Sequence, residues 1–272
     1  YVVIGGAGGI GGIWSQYMIS NYNAQIIWVG RSELNSLIRE KIKQISVNGN
    51  APEYLKGDVT NLASLTQVYS KIKSMYGRIN GLVHSAVGEF DKGIVNMTYE
   101  EYCKVLSVKR KGVLYMNEVF GQEPLDFVLY FSSLSSFERP QGQGGYVSGC
   151  CFVDAFAKQL QQKVPYAVRT INWGFWGNIG AAKRMAKSMQ FNIERTGSRP
   201  LDPKNAMEII EKILCDDTVQ LAYTRRVKSR SKKNASDELN IFRESQQMKQ
   251  KCQNEVTRLL SAVLKIPMEE FD

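Results

Sequence analysis

The stretch Tyr1-Val2-Val3-Ile4-Gly5-Gly6-Ala7-Gly8-Gly9-Ile10-Gly11 decides the fold. Its first residues, apolar and mostly β-branched, read as a buried strand, and the segment from Ile10 to Asn21 has helical spacing. Between them lies a glycine cluster. At a strand-to-helix turn, glycines permit a tight turn, close approach of backbone to a pyrophosphate, and packing of helix on strand; the helix N-terminus then favours the anion. Gly5, Gly6, Gly8, Gly9, Ile10 and Gly11 are therefore the expected phosphate-binding residues of a dinucleotide site. A glycine cluster alone also fits a plain loop, and it is the setting between strand and amphipathic helix that favours the dinucleotide.

Outward from this motif, short apolar runs alternate with longer segments of helical spacing. Strands are expected at Tyr1–Ile4, Ile26–Gly30, Glu53–Lys56, Gly81–Ser85, Phe127–Ser132, Val168–Asn172 and Val219–Tyr223. Helices are expected near Ile10–Asn21, Leu34–Val47, Leu62–Met75, Tyr99–Asn117, Gly145–Gln162 and Pro203–Leu214. Strict alternation predicts an α/β fold, a doubly wound parallel sheet of Rossmann type, with its ligand site at the carboxyl ends of the strands. Thr98-Tyr99-Glu100-Glu101 is a capping box, and Asp202-Pro203 places a cap before a proline at the first helical position. The segment Gly174–Arg199 breaks the alternation after a strand's carboxyl end and is a candidate lid.

The composition narrows the function. A chain of 272 residues that is 43% hydrophobic can bury a sizeable core. No apolar run approaches the roughly 18 to 20 residues needed to span a bilayer, and no basic region precedes the opening strand, so neither membrane nor targeting segment is expected. The 5 cysteines include no C-x-x-C pair, which fits neither a disulfide framework nor a zinc site and points to a reducing cytoplasm. The net charge of +9 is concentrated in Arg225, Arg226, Lys228, Arg230, Lys232 and Lys233. A solvated linker explains that run best, an acidic protein partner next, and nucleic acid last. With 1 histidine, Ser-His-Asp hydrolysis would rest wholly on His84 and histidine-rich metal sites are excluded. His84 ends an apolar strand and is read as structural.

The second strand ends Val29-Gly30-Arg31-Ser32. An acid near this place bonds the ribose hydroxyls of NAD, whereas an arginine accommodates the 2′-phosphate of NADP. Arg31 therefore argues for NADPH, against the alternative of a surface arginine at a strand end. Asp58-Val59 after the third strand is placed to meet the adenine.

These residues carry a resemblance. The glycine pattern, Gly30-Arg31-Ser32, Gly57-Asp58-Val59, His84-Ser85-Ala86, Val108-Lys109, Phe131-Ser132-Ser133, Gly145-Tyr146 and Ile171-Asn172-Trp173-Gly174 fall in family order. Over about residues 1–225 the chain resembles a short-chain dehydrogenase/reductase, specifically the ketoreductase domain of a modular polyketide synthase. The resemblance implies a catalytic triad of Lys109, Ser133 and Tyr146, with lysine and tyrosine inverted in order relative to the wider superfamily. It implies cofactor contacts at Ser32, Ser85 and Ala86, substrate contacts at Asp91, Trp173, Phe175 and Trp176, and no metal. The implied substrate is a ketoacyl thioester on the phosphopantetheine arm of an acyl carrier protein, with neighbouring synthase domains as further partners.

The chemistry asks for the same residue types. Reducing a ketone needs a hydride to carbon and a proton to the developing alkoxide. Tyr146 can donate that proton, a cationic Lys109 nearby is expected to lower its ordinary value near 10, and Ser133 can hydrogen-bond the same oxygen. Singly, the three have plainer readings: Tyr146 as a half-buried aromatic, Ser133 as a cap and Lys109 as a solvated helix residue. Four residues after the tyrosine, on the same helical face, the family commonly has asparagine where this chain has Cys150, a weaker hydrogen-bonding group. Related domains of synthases served by a separate acyltransferase often show this cysteine, and Cys150 is counted with the catalytic group.

The resemblance sets expected boundaries: a catalytic domain over 1–225, a basic linker and helical tail over 226–252, and the start of an acyl-carrier-like helix over 253–272. In the tail, Val256, Leu259, Leu260, Val263 and Leu264 form one apolar helical face, but the chain stops before any Asp-Ser-Leu attachment site. Such domains carry an upstream structural subdomain, whereas this chain begins on the cofactor strand, so its start is expected to be incomplete. Competing readings are a free-standing reductase of a small ketone, disfavoured by the carrier-like tail, and an inactive scaffold, supported only by Cys150. For stereochemistry, B-type domains carry Leu-Asp-Asp where this chain has Glu89-Phe90-Asp91, and A-type domains carry a tryptophan where it has Glu138. A B-type, D-configured product is expected.

Overall fold

The computed structural model describes residues 1–47, 49–88, 96–184, 193 and 197–227. In chain order the major elements are β1 (Val2–Ile4), α1 (Gly9–Tyr22), β2 (Ile27–Gly30), α2 (Ser36–Ser46), β3 (Glu53–Lys56), α3 (Leu62–Tyr76) and β4 (Gly81–His84). They continue with α4 (Tyr99–Phe120), β5 (Phe127–Ser133), α5 (Ser135–Glu138), α6 (Gly144–Gln161), β6 (Ala167–Trp173), β7 (Ser198–Arg199), α7 (Pro203–Leu214), β8 (Gln220–Tyr223) and β9 (Arg225–Arg226). Among the described residues, one sheet of 7 strands runs β3-β2-β1-β4-β5-β6-β8, parallel throughout. The strand order reverses between β1 and β4, which opens a crevice above their carboxyl ends.

Alternate residues of each strand face opposite layers. Val2, Ile4, Val29, Leu82, Val128 and Val168 pack with α3, α4 and α6. Val3, Trp28, Val83, Leu129 and Ile171 pack with α1, α2 and α7. The second of these layers buries Trp14 and Trp28 almost completely, and Trp28 Nε1 is satisfied by Ser15 Oγ at 2.8 Å.

Local signals located most helix starts. The capping box closes at Thr98 and Glu101, and Asp202 accepts from Asn205 N at 2.9 Å ahead of Pro203. α4 runs on to Phe120, past the expected Asn117, because Phe120 is buried against α3 through Tyr69. The sequence reading missed α5 and the β7–β9 ribbon, each too short to show a period. Arg225 and Arg226, expected in a solvated run, instead pair antiparallel with Arg199 and Ser198, and Arg226 Nη2 bonds Glu138 Oε1 at 2.6 Å. That pairing joins residues 88 positions apart, a proximity no local pattern encodes. The residues after Val227, on which the expected tail helix and the rest of the basic run fall, lie outside the described residues.

Two buried polar residues hold the frame. Arg169 Nε donates to Ile213 O at 2.9 Å and its Nη1 to Gln161 Oε1 at 2.6 Å, fastening β6 to the end of α7 and to α6. His84 is fully buried with Nε2 3.1 Å from Val108 O. Burial, helped by the Lys109 charge, pulls its pKa down to about 3, so the ring is neutral and is a frame residue, as expected.

Candidate active site

The cleft at the switch point has a volume of about 480 Å³. Gly5 turns the chain at φ +80°, and a Cβ there would meet the backbone of Ala86 at 2.9 Å; glycine is required by both conformation and space. Gly8 N donates to Gly5 O at 2.9 Å, closing the loop before α1. Gly5, Gly8, Gly9, Ile10, Arg31, Asp58, Val59, Ser85 and Ala86 line the cleft. Ser32 lines an adjoining recess with Arg31, Asn35, Lys41 and Tyr54. Gly6 and Gly11 serve packing: a Cβ on Gly6 would lie 2.0 Å from the Trp28 ring, and one on Gly11 2.8 Å from Gly5 O.

The donor set fits a dinucleotide. Backbone glycines and the start of α1 offer N–H groups to a pyrophosphate. Arg31 and Lys41 border the recess beyond β2, while the neighbouring acid, Glu33, is engaged by Lys56. Lys41 Nζ donates to Ala7 O at 2.6 Å, bridging α2 to the glycine loop. Sequence reading missed Lys41, since nothing in an exposed helix marks one lysine among several. It also missed Thr60, Val87 and Lys183, which line the same cleft.

At the inner end of the cleft the structure brings together Lys109, Ser133, Tyr146 and Cys150. Lys109, 3% exposed, projects from α4 and its Nζ donates to the carbonyl of Phe131 on β5. Tyr146, in the first turn of α6, hydrogen-bonds the side chains of Ser133 and Cys150. Ser133 Oγ also accepts from Ser135 N at 3.1 Å, which fixes it at the strand's end. The expected lowering of the Tyr146 pKa is not found. Burial, followed by the Cys150 sulfur, holds this phenol well above 10, and only Ser133 opposes them. Burial also lowers Lys109 and raises Cys150.

A second, apolar pocket of about 150 Å³ adjoins the first. Trp173, Phe175 and Trp176 line it together with Ser133, Gln143 and Glu138, so three of the expected substrate contacts meet there. Asp91, the fourth, lies outside the described residues. Ser132, Tyr146 and Trp173 line both cavities. Described residues that follow β6 border them too: Ala181 lines both, and a Cβ on Gly9 would lie 2.3 Å from the Gly180 backbone.

The sheet order, the switch-point cleft and a phenol shared between cleft and apolar pocket mark an oxidoreductase with the short-chain dehydrogenase/reductase fold. The family model described as KR domain matches residues 1–178, and the chain belongs to that ketoreductase family. It is 41% identical over 225 residues to polyketide synthase PksN of Bacillus subtilis (strain 168), covering 83% of this chain and 4% of that one. It is 42% identical over 228 residues to polyketide synthase PksM of the same strain, covering 84% of this chain and 5% of that one. It thus spans a small fraction of the curated relatives it matches. Among solved structures, a ketoreductase domain from the bacillaene assembly line superimposes with TM-score 0.75 at 27% identity, over 82% of this chain and 55% of that one.

Proposed function

We infer that this chain reduces a ketoacyl thioester to the hydroxyacyl thioester, using NADPH, while the acyl group is held on the phosphopantetheine arm of an acyl carrier protein within a polyketide synthase. The observation that carries the reading is the position of Tyr146, whose side chain lines both the dinucleotide cleft and the apolar pocket. When bound in the glycine-loop cleft, NADPH would supply the hydride that the carbonyl carbon accepts. Tyr146 gives its proton to the carbonyl oxygen as the C–O double bond becomes single. A phenol held well above 10 is fully protonated at neutral pH, the state needed for a proton donor. Ser133 bonds the same oxygen as charge develops, and Lys109 brings positive charge to the cleft floor. Arg31 and Lys41 favour the 2′-phosphate of NADPH over the bare ribose of NADH.

The apolar pocket, floored by Trp173 and Trp176, suits an acyl chain and excludes water from the reacting carbon. The absence of tryptophan at Glu138 and the presence of Asp91 support the B-type, D-configured alcohol. The test is direct: purified chain, preceded by a ketoreductase structural subdomain, is given NADPH and a 3-ketoacyl pantetheine thioester. NADPH consumption with a predominantly D-configured 3-hydroxyacyl product is expected. No consumption overturns the activity, and an L-configured product overturns the stereochemical part alone.

A further inference from the structure

Behind the triad stands a buried acid that the reaction as described does not use. Tyr146, Cys150 and Asp154 recur every four residues on α6 and so share one face, with about 6 Å of axial rise between successive members. Asp154 is 8% exposed. Its Oδ2 accepts from Asn172 Nδ2 at 2.8 Å, while its Oδ1 is buried with no hydrogen-bond partner among the described residues. A carboxylate enclosed in this way is unfavourable unless a cation or further donors compensate it.

Asn172 is held so that its amide must face the acid. Its Oδ1 accepts from Gln220 Nε2 at 2.9 Å on β8, leaving Nδ2 to serve Asp154, Ser136 Oγ at 2.9 Å, and Ser132 Oγ at 3.2 Å. Ser132 in turn bonds the Cys150 thiol, which bonds Tyr146. The network therefore reaches from the β6–β8 edge to the phenol. Cys150 and Asp154 both act electrostatically on Lys109, a buried cation whose described hydrogen bond goes to the Phe131 carbonyl and to no carboxylate.

We propose that Asp154, oriented by Asn172 from the same face of α6 as Tyr146 and Cys150, is a positioning residue for this reaction: the counter-charge that balances Lys109 and sets the working state of the Lys109–Tyr146 pair. This rests on the reading of those two residues as the active pair. A thiol is a weaker hydrogen-bonding group than an amide, so at Cys150 more of the support of the pair falls to electrostatics. The groups facing Lys109 are Cys150 and Asp154 from α6, His84 from β4, and the Phe131 carbonyl from β5. Those facing Tyr146 are Ser133 from β5, with Cys150 and Asp154 from its own helix. Asp154 raises both Lys109 and Tyr146. Removing its charge lowers both, so each loses its proton at lower pH and both effects move the alkaline limb in the same direction.

The test uses Asp154→Asn in the whole chain, since the amide can still accept from Asn172. Two readouts are taken against pH: kcat/KM with a 3-ketoacyl pantetheine thioester, and NADPH affinity by fluorescence titration, which needs no turnover. The alkaline limb is expected to move to lower pH by about half a unit or more, while Asp154→Glu, which keeps the charge, retains the parental limb. If the Asn variant does not fold, Asp154→Ser removes the charge with a smaller side chain and is read the same way. Unmoved limbs in a folded, uncharged variant overturn the proposal, as does a Glu variant that shifts as far as Asn. A parental chain that binds NADPH without turnover rejects the assigned activity instead, and the binding limb still decides the role of Asp154.

Discussion

Gly149 and Lys109 meet across the α4–α6 contact so closely that a Cβ on the glycine would lie 2.9 Å from the Cβ of the lysine. Helix approach is set here by the missing side chain, and it is this approach that delivers Lys109 to Cys150 and the cleft. Gly149→Ala is expected to lower stability by about 1–3 kcal/mol through overpacking and to lower kcat/KM by displacing the lysine. Denaturant melts and turnover check both, and parental values in each would remove the packing argument.

Tyr146 is the phenol shared by the two cavities. Tyr146→Phe keeps the ring and removes the proton, so turnover should fall by about a hundredfold to ten-thousandfold with NADPH still bound. Turnover near the parental rate would reassign the acid.

Arg31 and Lys41 border the same recess from β2 and α2. Arg31→Ala should weaken NADPH far more than NADH, and Lys41→Ala should do so in the same sense. Equal losses for both cofactors would show that neither cation sees a 2′-phosphate.

Cys150 bonds Tyr146 and Ser132 from a fully buried position. Cys150→Asn restores the commoner family residue at similar size and should preserve activity. Complete inactivation with the fold intact would give the thiol a specific role.

His84 makes stability depend on pH. Its pKa falls from 6.5 unfolded to about 3 folded, so between those values the unfolded chain binds a proton that the folded one does not. Stability should therefore decline as pH falls through that window, by up to about 1.4 kcal/mol per pH unit. In His84→Gln that part of the slope should vanish. A variant with the parental pH slope would assign the acid sensitivity elsewhere.

The sequence by itself determined the parallel α/β fold, since periodicities of two and of 3.6 are local, and so are the glycine turn, the Thr98 and Asp202 caps, and the motif residues that line the cleft. That Arg31 lines the cleft was legible because a strand end beside a glycine loop gives a single side chain a known neighbour. What only the tertiary structure decided concerns pairs distant in sequence. Lys41 reaches Ala7, Asn172 ties Asp154 to Gln220, and Arg226 reaches Glu138; none leaves a local trace. The direction of the Tyr146 shift belongs to the same group. A lysine near a phenol predicts a lower pKa, but how deeply the phenol is desolvated depends on every element packed around it, and here burial wins.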